Sequence, residues 1–228
     1  MKIIAHRSGP TFFPEQTVQS ARLALENGAD MIELDVRLTC DGKIAVSHDL
    51  CVERVFGAER NVSDLTAVEF LALRHKNAPA FGSHLFEHYL ASGIAKILIH
   101  IKEDALIDAL LDMILSYDLL NEVVFGVHST VLAEHIKMKC PNARVLAFMP
   151  TLEDLIAFGK SSVDYIRLWE QWAEKRNVDV IRSYGKEVWV MTNGIEVGVS
   201  TDDQIKAILS LGVDGILIND ICHLQRLL

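Results

Sequence analysis

Two acidic residues, Glu33 and Asp35, lie two positions apart in the otherwise apolar start of IELDVRLTCDGKIAVSHD, residues 32–49. Alternate residues of a β-strand point to the same face, so both carboxylates would project from one side. Two adjacent carboxylates repel each other, and one would take up a proton unless a cation neutralises them. A divalent metal ion with oxygen ligands meets that need. An ion pair with Arg7 or Arg37 is the alternative.

Two histidines stand at the ends of predicted strands near this acidic pair. His6, followed by Arg7, ends the first apolar run, and His48, followed by Asp49, ends the run that comes after the Asp41-Gly42 turn. Imidazole is the side chain best suited to proton transfer near neutral pH. We therefore expect His6 and His48 to be catalytic.

Short β-branched runs alternate with helical patterns along the whole chain. The predicted strands lie at 2–7, 31–39, 96–102, 122–129, 143–149, 163–169, 187–193 and 213–220. The best-defined helices are predicted at 17–28, 105–118, 130–139, 151–159 and 201–212, and Thr17, Thr151 and Thr201 open three of them. This alternation predicts an α/β protein with a (β/α)₈ TIM barrel. A doubly wound open sheet is the rival architecture.

One segment interrupts the alternation after the second strand. The Asp41-Gly42 pair predicts a hairpin turn and a strand that runs back. Helices are then predicted within 65–75 and 85–93, before the third barrel strand. We expect a small elaboration at the carboxyl ends of the strands, where barrel active sites lie.

Composition limits the classes of function. The chain has 228 residues, 50% of them hydrophobic, and a net charge of −9, with no linker composition, so we predict a single domain over 1–228. Without a basic cluster or a long apolar run, no nucleic-acid binding and no membrane insertion are expected. Four cysteines without C-x-x-C spacing and no secretory pattern predict free thiols and a cytoplasmic location. Homo-oligomerisation is left open.

The order of the motifs resembles the glycerophosphodiester phosphodiesterase family. Its pattern of His-Arg-Gly, Pro-Glu-Asn-Thr, Glu-Leu-Asp-Val, Thr-x-Asp-Gly and His-Asp is matched by HRS, PEQT, ELDV, TCDG and HD in the first fifty residues. Weaker similarities follow in VSDLTAVEFLAL, VWVMTN and GVDGILIND. The resemblance implies a (β/α)₈ barrel and metal-dependent hydrolysis of glycerophosphodiesters, a small-molecule substrate class, to glycerol 3-phosphate and an alcohol.

The resemblance also implies roles for individual residues. His6 and His48 match the catalytic histidines, one acting as base for the attacking oxygen and the other as acid for the departing alkoxide, in an order left open. Whether water or a hydroxyl of the substrate attacks is also open. Arg7 and Glu15 match groups that line the phosphate and glycerol site, and we expect Trp189 to shape the substrate pocket.

The third barrel strand departs from the family. Glu33 and Asp35 match two metal ligands, but the family's Glu-x-Lys reads His100-Ile101-Lys102 here. We predict His100 as the third ligand of one divalent metal ion and Lys102 as a phosphate contact. The resemblance implies Mg²⁺ or Ca²⁺, whereas an imidazole ligand makes Mn²⁺, Zn²⁺ or Fe²⁺ more suitable. Glu103 is not expected to replace the family's third ligand, because its position in the strand places it on the opposite face from His100.

Two alternatives to this divergent family member are left open. The barrel could act on a different diester, such as a lysophospholipid or a cyclic or sugar-linked phosphodiester. It could also be a non-catalytic binding barrel that lost its metal through His100.

Overall fold

Eleven strands form the sheets of the computed structural model, which describes residues 1–228. They are Lys2–Ala5 (β1), Met31–Leu38 (β2), Ile44–Val46 (β3), Arg74–His75 (β4), Ala78–Gly82 (β5), Ile97–Ile101 (β6), Val124–Val127 (β7), Arg144–Phe148 (β8), Tyr165–Trp169 (β9), Glu187–Met191 (β10) and Gly215–Ile218 (β11). Eight pair in parallel in the order β1-β2-β6-β7-β8-β9-β10-β11, and β11 pairs with β1. The predicted (β/α)₈ barrel is confirmed.

Ten α-helices accompany the strands. They are Val18–Glu26 (α1), Glu53–Phe56 (α2), Ala67–Leu71 (α3), Phe86–Ala91 (α4), Ile107–Ser116 (α5), Thr130–Lys139 (α6), Leu155–Lys160 (α7), Lys175–Ser183 (α8), Asp202–Ser210 (α9) and Ile221–Gln225 (α10). Thr17 accepts a hydrogen bond from the Ser20 backbone and opens α1 as predicted. None of the ten combines the length and apolar character needed to cross a bilayer.

The apolar side chains pack on both sides of the barrel wall. A large cluster fills the space between the strands and the surrounding helices. A smaller inner cluster fills the barrel itself and consists of Ile4, Met31, Leu98, Val124, Leu146, Phe148, Tyr165, Trp189, Met191 and Leu217. On several strands the next inward-facing position is polar, as in Met31-x-Glu33 and Leu98-x-His100. The barrel interior therefore changes from apolar to charged toward its carboxyl end.

The predicted hairpin after the second barrel strand is present. β3 runs antiparallel to β2, with Val36 opposite Val46. Gly42 takes a left-handed conformation with φ of 74°, which glycine adopts without strain. The hairpin brings the chain back so that residue 48 lies beside the end of β2.

The rest of the elaboration differs from its prediction. The helix expected within 65–75 is shorter, because α3 ends at Leu71 and the chain continues into the antiparallel pair β4–β5. A small separate cluster around Val62, Leu65 and Phe70 covers this region. The helices α2 and α8 were not predicted; α8 buries only Val178 and Ile181, too few apolar residues for a clear periodic pattern. The four cysteines are free thiols, as expected.

Candidate active site

A cavity of about 320 Å³ opens at the carboxyl ends of the barrel strands. Its lining consists of His6, Arg7, Glu33, Asp35, His48, His100, Lys102, Phe148, Arg167, Trp169, Met191 and Val197. The structure thus gathers both predicted catalytic histidines, the three predicted metal ligands and two predicted phosphate contacts around one space. Barrel topology explains this, since parallel strands bring their carboxyl ends to the same edge.

Three side chains in the cavity could hold a metal ion. Glu33 and Asp35 are each 1% exposed, and Asp35 lies opposite His100 in the β2–β6 register. His100 Nδ1 is 3.0 Å from an Asp35 oxygen and 3.7 Å from a Glu33 oxygen, and the candidate ligand atoms of the three residues lie within 4.8 Å of one another. Two carboxylates and an imidazole are a suitable donor set for a divalent transition metal.

Hydrogen bonds and cations stabilise the charged form of Asp35. Lys102 Nζ lies 2.8 Å from Asp35 Oδ1, and Gln16 Nε2 donates to Asp35 Oδ2 at 2.6 Å. Burial alone would raise the pKa of Asp35, but Lys102 and His100 hold that pKa well below its ordinary value. The Arg7 backbone N–H donates to Glu33 at 2.8 Å. A metal ion would therefore share Asp35 with the ammonium group of Lys102.

The ion-pair alternative for the acidic residues is only partly present. The Arg7 guanidinium reaches Asp35 at 4.0 Å, a long contact, and pairs more closely with Glu15 at 3.2 Å. Arg37 instead pairs with Glu103 at 3.1 Å. Glu103 is thus engaged elsewhere, in agreement with its predicted strand parity.

An aromatic ring supports His100. Its imidazole stacks on Phe148 with ring centroids 3.8 Å apart and planes 12° apart. Gly126 lies between them on β7, where a Cβ atom would come within 2.3 Å of the Phe148 ring. A glycine at this position is what lets Phe148 reach His100 and fix its orientation.

His6 lies on a strained turn after β1. Within this short 3₁₀ turn Arg7 and Ser8 have φ of 46° and 68°, left-handed values that non-glycine residues adopt at a cost of about 1–3 kcal/mol each. His6 Nδ1 lies 2.7 Å from Asn219 Oδ1 at the end of β11. Burial is the main cause that lowers the pKa of His6 below its ordinary value, against the raising influence of Glu33.

His48 approaches the same cavity from the hairpin. Its Nδ1 lies 2.7 Å from Asp49 Oδ1, and Arg37 donates two hydrogen bonds to its backbone carbonyl, at 3.0 and 3.2 Å. Burial lowers the pKa of His48, while the nearby Asp35 opposes this. Both histidines are therefore neutral at neutral pH and able to accept a proton.

Glu15 lies outside the main cavity, in a neighbouring one of about 250 Å³. Its carboxylate pairs with Arg7 and, at 2.6 Å, with Arg54. Arg54 also contacts Asp49 beside His48. Burial would raise the pKa of Glu15, but Arg54 and Arg7 lower it. Glu15 thus reaches the main cavity indirectly, through Arg7 and through the Arg54–Asp49 pair beside His48.

The prediction that Trp189 shapes the pocket is wrong. Trp189 is completely buried in the inner cluster, with its ring stacked on Tyr165 at 4.8 Å and no contact with the cavity. Its side chain does face the barrel interior, but it lies one inward-facing residue closer to the amino end of β10 than the residue that lines the cavity. Met191, two residues further along β10, lines the cavity instead.

Seven side chains at the site were not predicted as site residues. They are Gln16, Phe148, Arg167, Trp169, Met191, Val197 and Asn219. Arg167 could have been predicted from the sequence, because YIRLW places an arginine on the inward face of a buried strand, two residues before Trp169. The others depend on contacts between distant strands, which no local pattern shows.

Known proteins match both the sequence and the fold. The sequence model of the Glycerophosphoryl diester phosphodiesterase family matches residues 6–178. The glycerophosphodiester phosphodiesterase of Caldanaerobacter subterraneus is 45% identical over 71 residues, 31% of this chain and 29% of that protein. That of Bacillus altitudinis is 46% identical over 68 residues, 30% of this chain and 28% of that protein. The aligned segments thus span less than a third of these relatives.

Solved structures match along almost the whole chain. The glycerophosphodiester phosphodiesterase of Thermotoga maritima superposes with a TM-score of 0.79 at 22% identity, covering 99% of this chain and 97% of that one. A phosphodiesterase of Oleispira antarctica, solved in complex with the product sn-glycerol-3-phosphate, gives a TM-score of 0.82 at 18% identity over 100% of this chain and 96% of that one. These likenesses establish the shared barrel. Since the family match spans most of the sequence, the chain belongs to the glycerophosphoryl diester phosphodiesterase family.

Proposed function

We propose that this protein is a metal-dependent phosphoric diester hydrolase that cleaves glycerophosphodiesters to glycerol 3-phosphate and an alcohol. The observation that carries the proposal is the convergence of His6, His48, Arg7 and Lys102 on the cavity that also holds the Glu33–Asp35–His100 group. Membership of the family and the product complex of the Oleispira antarctica relative support the same substrate class.

The metal ion would be held by Glu33, Asp35 and His100. When bound, it would supply Lewis-acid stabilisation of the phosphoryl charge. Mg²⁺ or Ca²⁺ is the ion that the family resemblance implies, and Mn²⁺, Zn²⁺ or Fe²⁺ is the one that the His100 imidazole favours.

The chain's own residues would bind the phosphodiester and move its protons. Arg7 and Lys102 lie in the cavity wall with charges that can neutralise non-bridging phosphate oxygens. His6 and His48 would act as base and acid. Because burial holds both imidazoles neutral, one of them must gain its proton once the anionic substrate lies beside it and raises its pKa.

The proposal is tested by release of glycerol 3-phosphate. Purified protein would be assayed with glycerophosphocholine, glycerophosphoethanolamine and glycerophosphoglycerol, each with Mg²⁺, Ca²⁺, Mn²⁺ or Zn²⁺. We expect hydrolysis with at least one ion, and a fall of about 10²–10⁴-fold in kcat for His6→Ala and His48→Ala, the usual contribution of acid–base catalysis.

His135→Ala is the matched control, because His135 lies on the surface and pairs with Asp108 far from the cavity. Equal rates in the parent and in the His6→Ala and His48→Ala variants would contradict the proposed roles. Activity confined to lysophospholipids or to cyclic or sugar-linked diesters would assign a different substrate, and no activity on any diester would favour a binding barrel.

We further propose that the protein acts in the cytoplasm as one domain over residues 1–228. Four free cysteines support a reducing compartment. The substrate is a small molecule that fits a cavity of about 320 Å³, and nothing in the charge distribution favours nucleic acid.

A further inference from the structure

Arg167 is the one permanent cation in the cavity wall that has no carboxylate partner. Arg7 is paired with Glu15 at 3.2 Å, and Lys102 is paired with Asp35 at 2.8 Å. Arg167 forms no ion pair, although it lines the same space. Two of the three cations are thus already balanced by the protein's own acids, and the third is free to bind an external anion.

The Arg167 side chain is buried as well as unpaired. The residue is 4% exposed, and its Nε and Nη1 atoms lack any hydrogen-bond partner. Burial lowers the pKa of Arg167 to about 9, so the group stays charged at neutral pH. A buried, charged guanidinium without acceptors is strongly unfavourable in a folded protein unless a ligand supplies them. The orphaned donors therefore point to an oxyanion.

The position of Arg167 also disfavours a cationic ligand group. Its guanidinium carbon lies 4.1 Å from the Trp169 ring centroid and 5.1 Å from that of Phe148. Phe148 additionally stacks on His100. These are the aromatic faces that could otherwise bind the ammonium group of a choline-type alcohol. Arg167 already covers one face of each ring, and its charge repels such a group.

The charge balance of the cavity also favours a second anionic group on the ligand. Apart from the histidines, the three cations Arg7, Lys102 and Arg167 face three carboxylates, Glu15, Glu33 and Asp35, so these charges cancel. A divalent metal ion would add two positive charges, of which one phosphodiester anion balances one. The loaded site would thus remain positive after it binds a single phosphodiester.

On the basis of the proposed phosphodiesterase function, we propose that Arg167 binds a second oxyanion of the substrate, a carboxylate or phosphate carried by one of its alcohols. The site then favours diesters with such a group over diesters whose alcohol carries only an ammonium group. The planar guanidinium, stacked against Trp169 and Phe148, can donate hydrogen bonds to two oxygens of either anion.

Matched substrates test this specificity. Glycerophosphoserine and glycerophosphoethanolamine differ only in a carboxylate, and glycerophosphoglycerol with and without a terminal phosphate provides the corresponding phosphate pair. We expect the parent to show at least a tenfold higher kcat/KM for the anionic member of one pair, which identifies the oxyanion. Arg167→Gln should reduce that ratio at least fivefold, and Arg167→Lys should retain part of it.

Arg144→Gln is the control, since Arg144 begins β8 at the opposite end of the barrel and should leave the ratio unchanged. Because Arg167 forms no ion pair, Arg167→Gln should unfold at the same temperature as the parent or higher. If Arg167→Gln does not fold, the ratio of kcat/KM values for the matched substrates in Arg167→Lys tests the inference instead. A parental ratio near one in both pairs, or a ratio unaffected by the Arg167 variants, would overturn the inference.

A binding measurement separates this inference from the proposed function. If the parent cleaves no diester, the proposed function fails, and calorimetric titration with O-phosphoserine and O-phosphoethanolamine still tests Arg167. Tighter binding of O-phosphoserine that disappears in Arg167→Gln supports the oxyanion site. Equal affinities in the parent for this pair, together with equal affinities for glycerol 3-phosphate and glycerol 1,3-bisphosphate, overturn it.

Discussion

At the scale of a single residue, we propose that His100 sets the metal preference of the site. It stands where the family resemblance implies a glutamate, beside Glu33 and Asp35. The donor set therefore gains an imidazole and loses one negative charge. Hard cations prefer oxygen donors, whereas imidazole suits transition metals. We predict that metal-free parent protein binds Mn²⁺ or Zn²⁺ more tightly than Mg²⁺. His100→Glu should raise Mg²⁺ affinity at least tenfold, measured by calorimetric titration.

The control for this prediction is His128→Glu. His128 directly follows the neighbouring strand β7 but pairs with Asp104 outside the cavity, so the added carboxylate should leave Mg²⁺ affinity unchanged. Mg²⁺ binding that is equally weak in the parent and in His100→Glu would mean that position 100 contributes no metal ligand.

Asn219 tunes the protonation of His6. Its amide oxygen lies 2.7 Å from His6 Nδ1, where Asn219→Asp would place a negative charge. A carboxylate stabilises the protonated imidazole, so the lowered pKa of His6 would rise and the proton would be lost at higher pH. Whichever limb of the kcat/KM profile belongs to His6 should therefore move about one unit to higher pH, for a stabilisation of about 1.4 kcal/mol.

This shift is measured from kcat/KM between pH 4 and pH 10. Asn193→Asp provides a control, because Asn193 follows β10 and does not line the cavity. Profiles that superimpose for the parent and Asn219→Asp would show that the ionisation of His6 does not limit the reaction.

At the scale of elements, β7 helps to position the His100 ring because its Gly126 leaves room for the Phe148 ring that stacks on His100. A Cβ atom at Gly126 would lie 2.3 Å from Phe148, closer than atoms can pack, so Gly126→Ala must displace the ring that stacks on His100. Overpacking of this kind costs about 1–3 kcal/mol. We predict a fall in Tm of about 2–12 °C, by the usual scaling of about 2–4 °C per kcal/mol for a chain of this size, measured by calorimetry.

A double-mutant cycle controls for effects of alanine that do not involve Phe148. In a Phe148→Leu background the smaller side chain leaves room, and Gly126→Ala should cost much less. Equal losses of Tm in both backgrounds would show that the clash lies elsewhere, for example with the Ile99 carbonyl at 3.2 Å.

The elements differ in how well the sequence predicts them. The barrel strands and the Thr17 cap were predictable because alternation and capping are local patterns. The acidic pair and His100 were placed correctly because strand parity and parallel order fix their side of the sheet. Trp189 was misplaced because strand parity shows that its side chain faces inward but not how far along the barrel axis it lies. That depth depends on the stagger between neighbouring strands. The β4–β5 pair depends on contacts that no local pattern encodes.

Across the whole molecule, the barrel interior is divided into an apolar end and a charged end. The inner apolar cluster contains no charged side chain, whereas the cavity above it holds buried carboxylates and the unpaired Arg167. Charges that lack partners lower the stability of the ligand-free fold. Anion binding at this end should therefore stabilise the entire barrel.

Calorimetry with glycerol 3-phosphate tests this coupling between the site and the fold. A ligand at about 100 times its Kd stabilises the native state by about 2.7 kcal/mol. For a chain of this size we predict that Tm rises by about 5–10 °C. Glycerol, which lacks the phosphate, should give no such shift, and Lys102→Gln should reduce it, because Lys102 is one of the cations that line the cavity. Equal shifts with glycerol and glycerol 3-phosphate would show that the charged end does not bind the phosphate group.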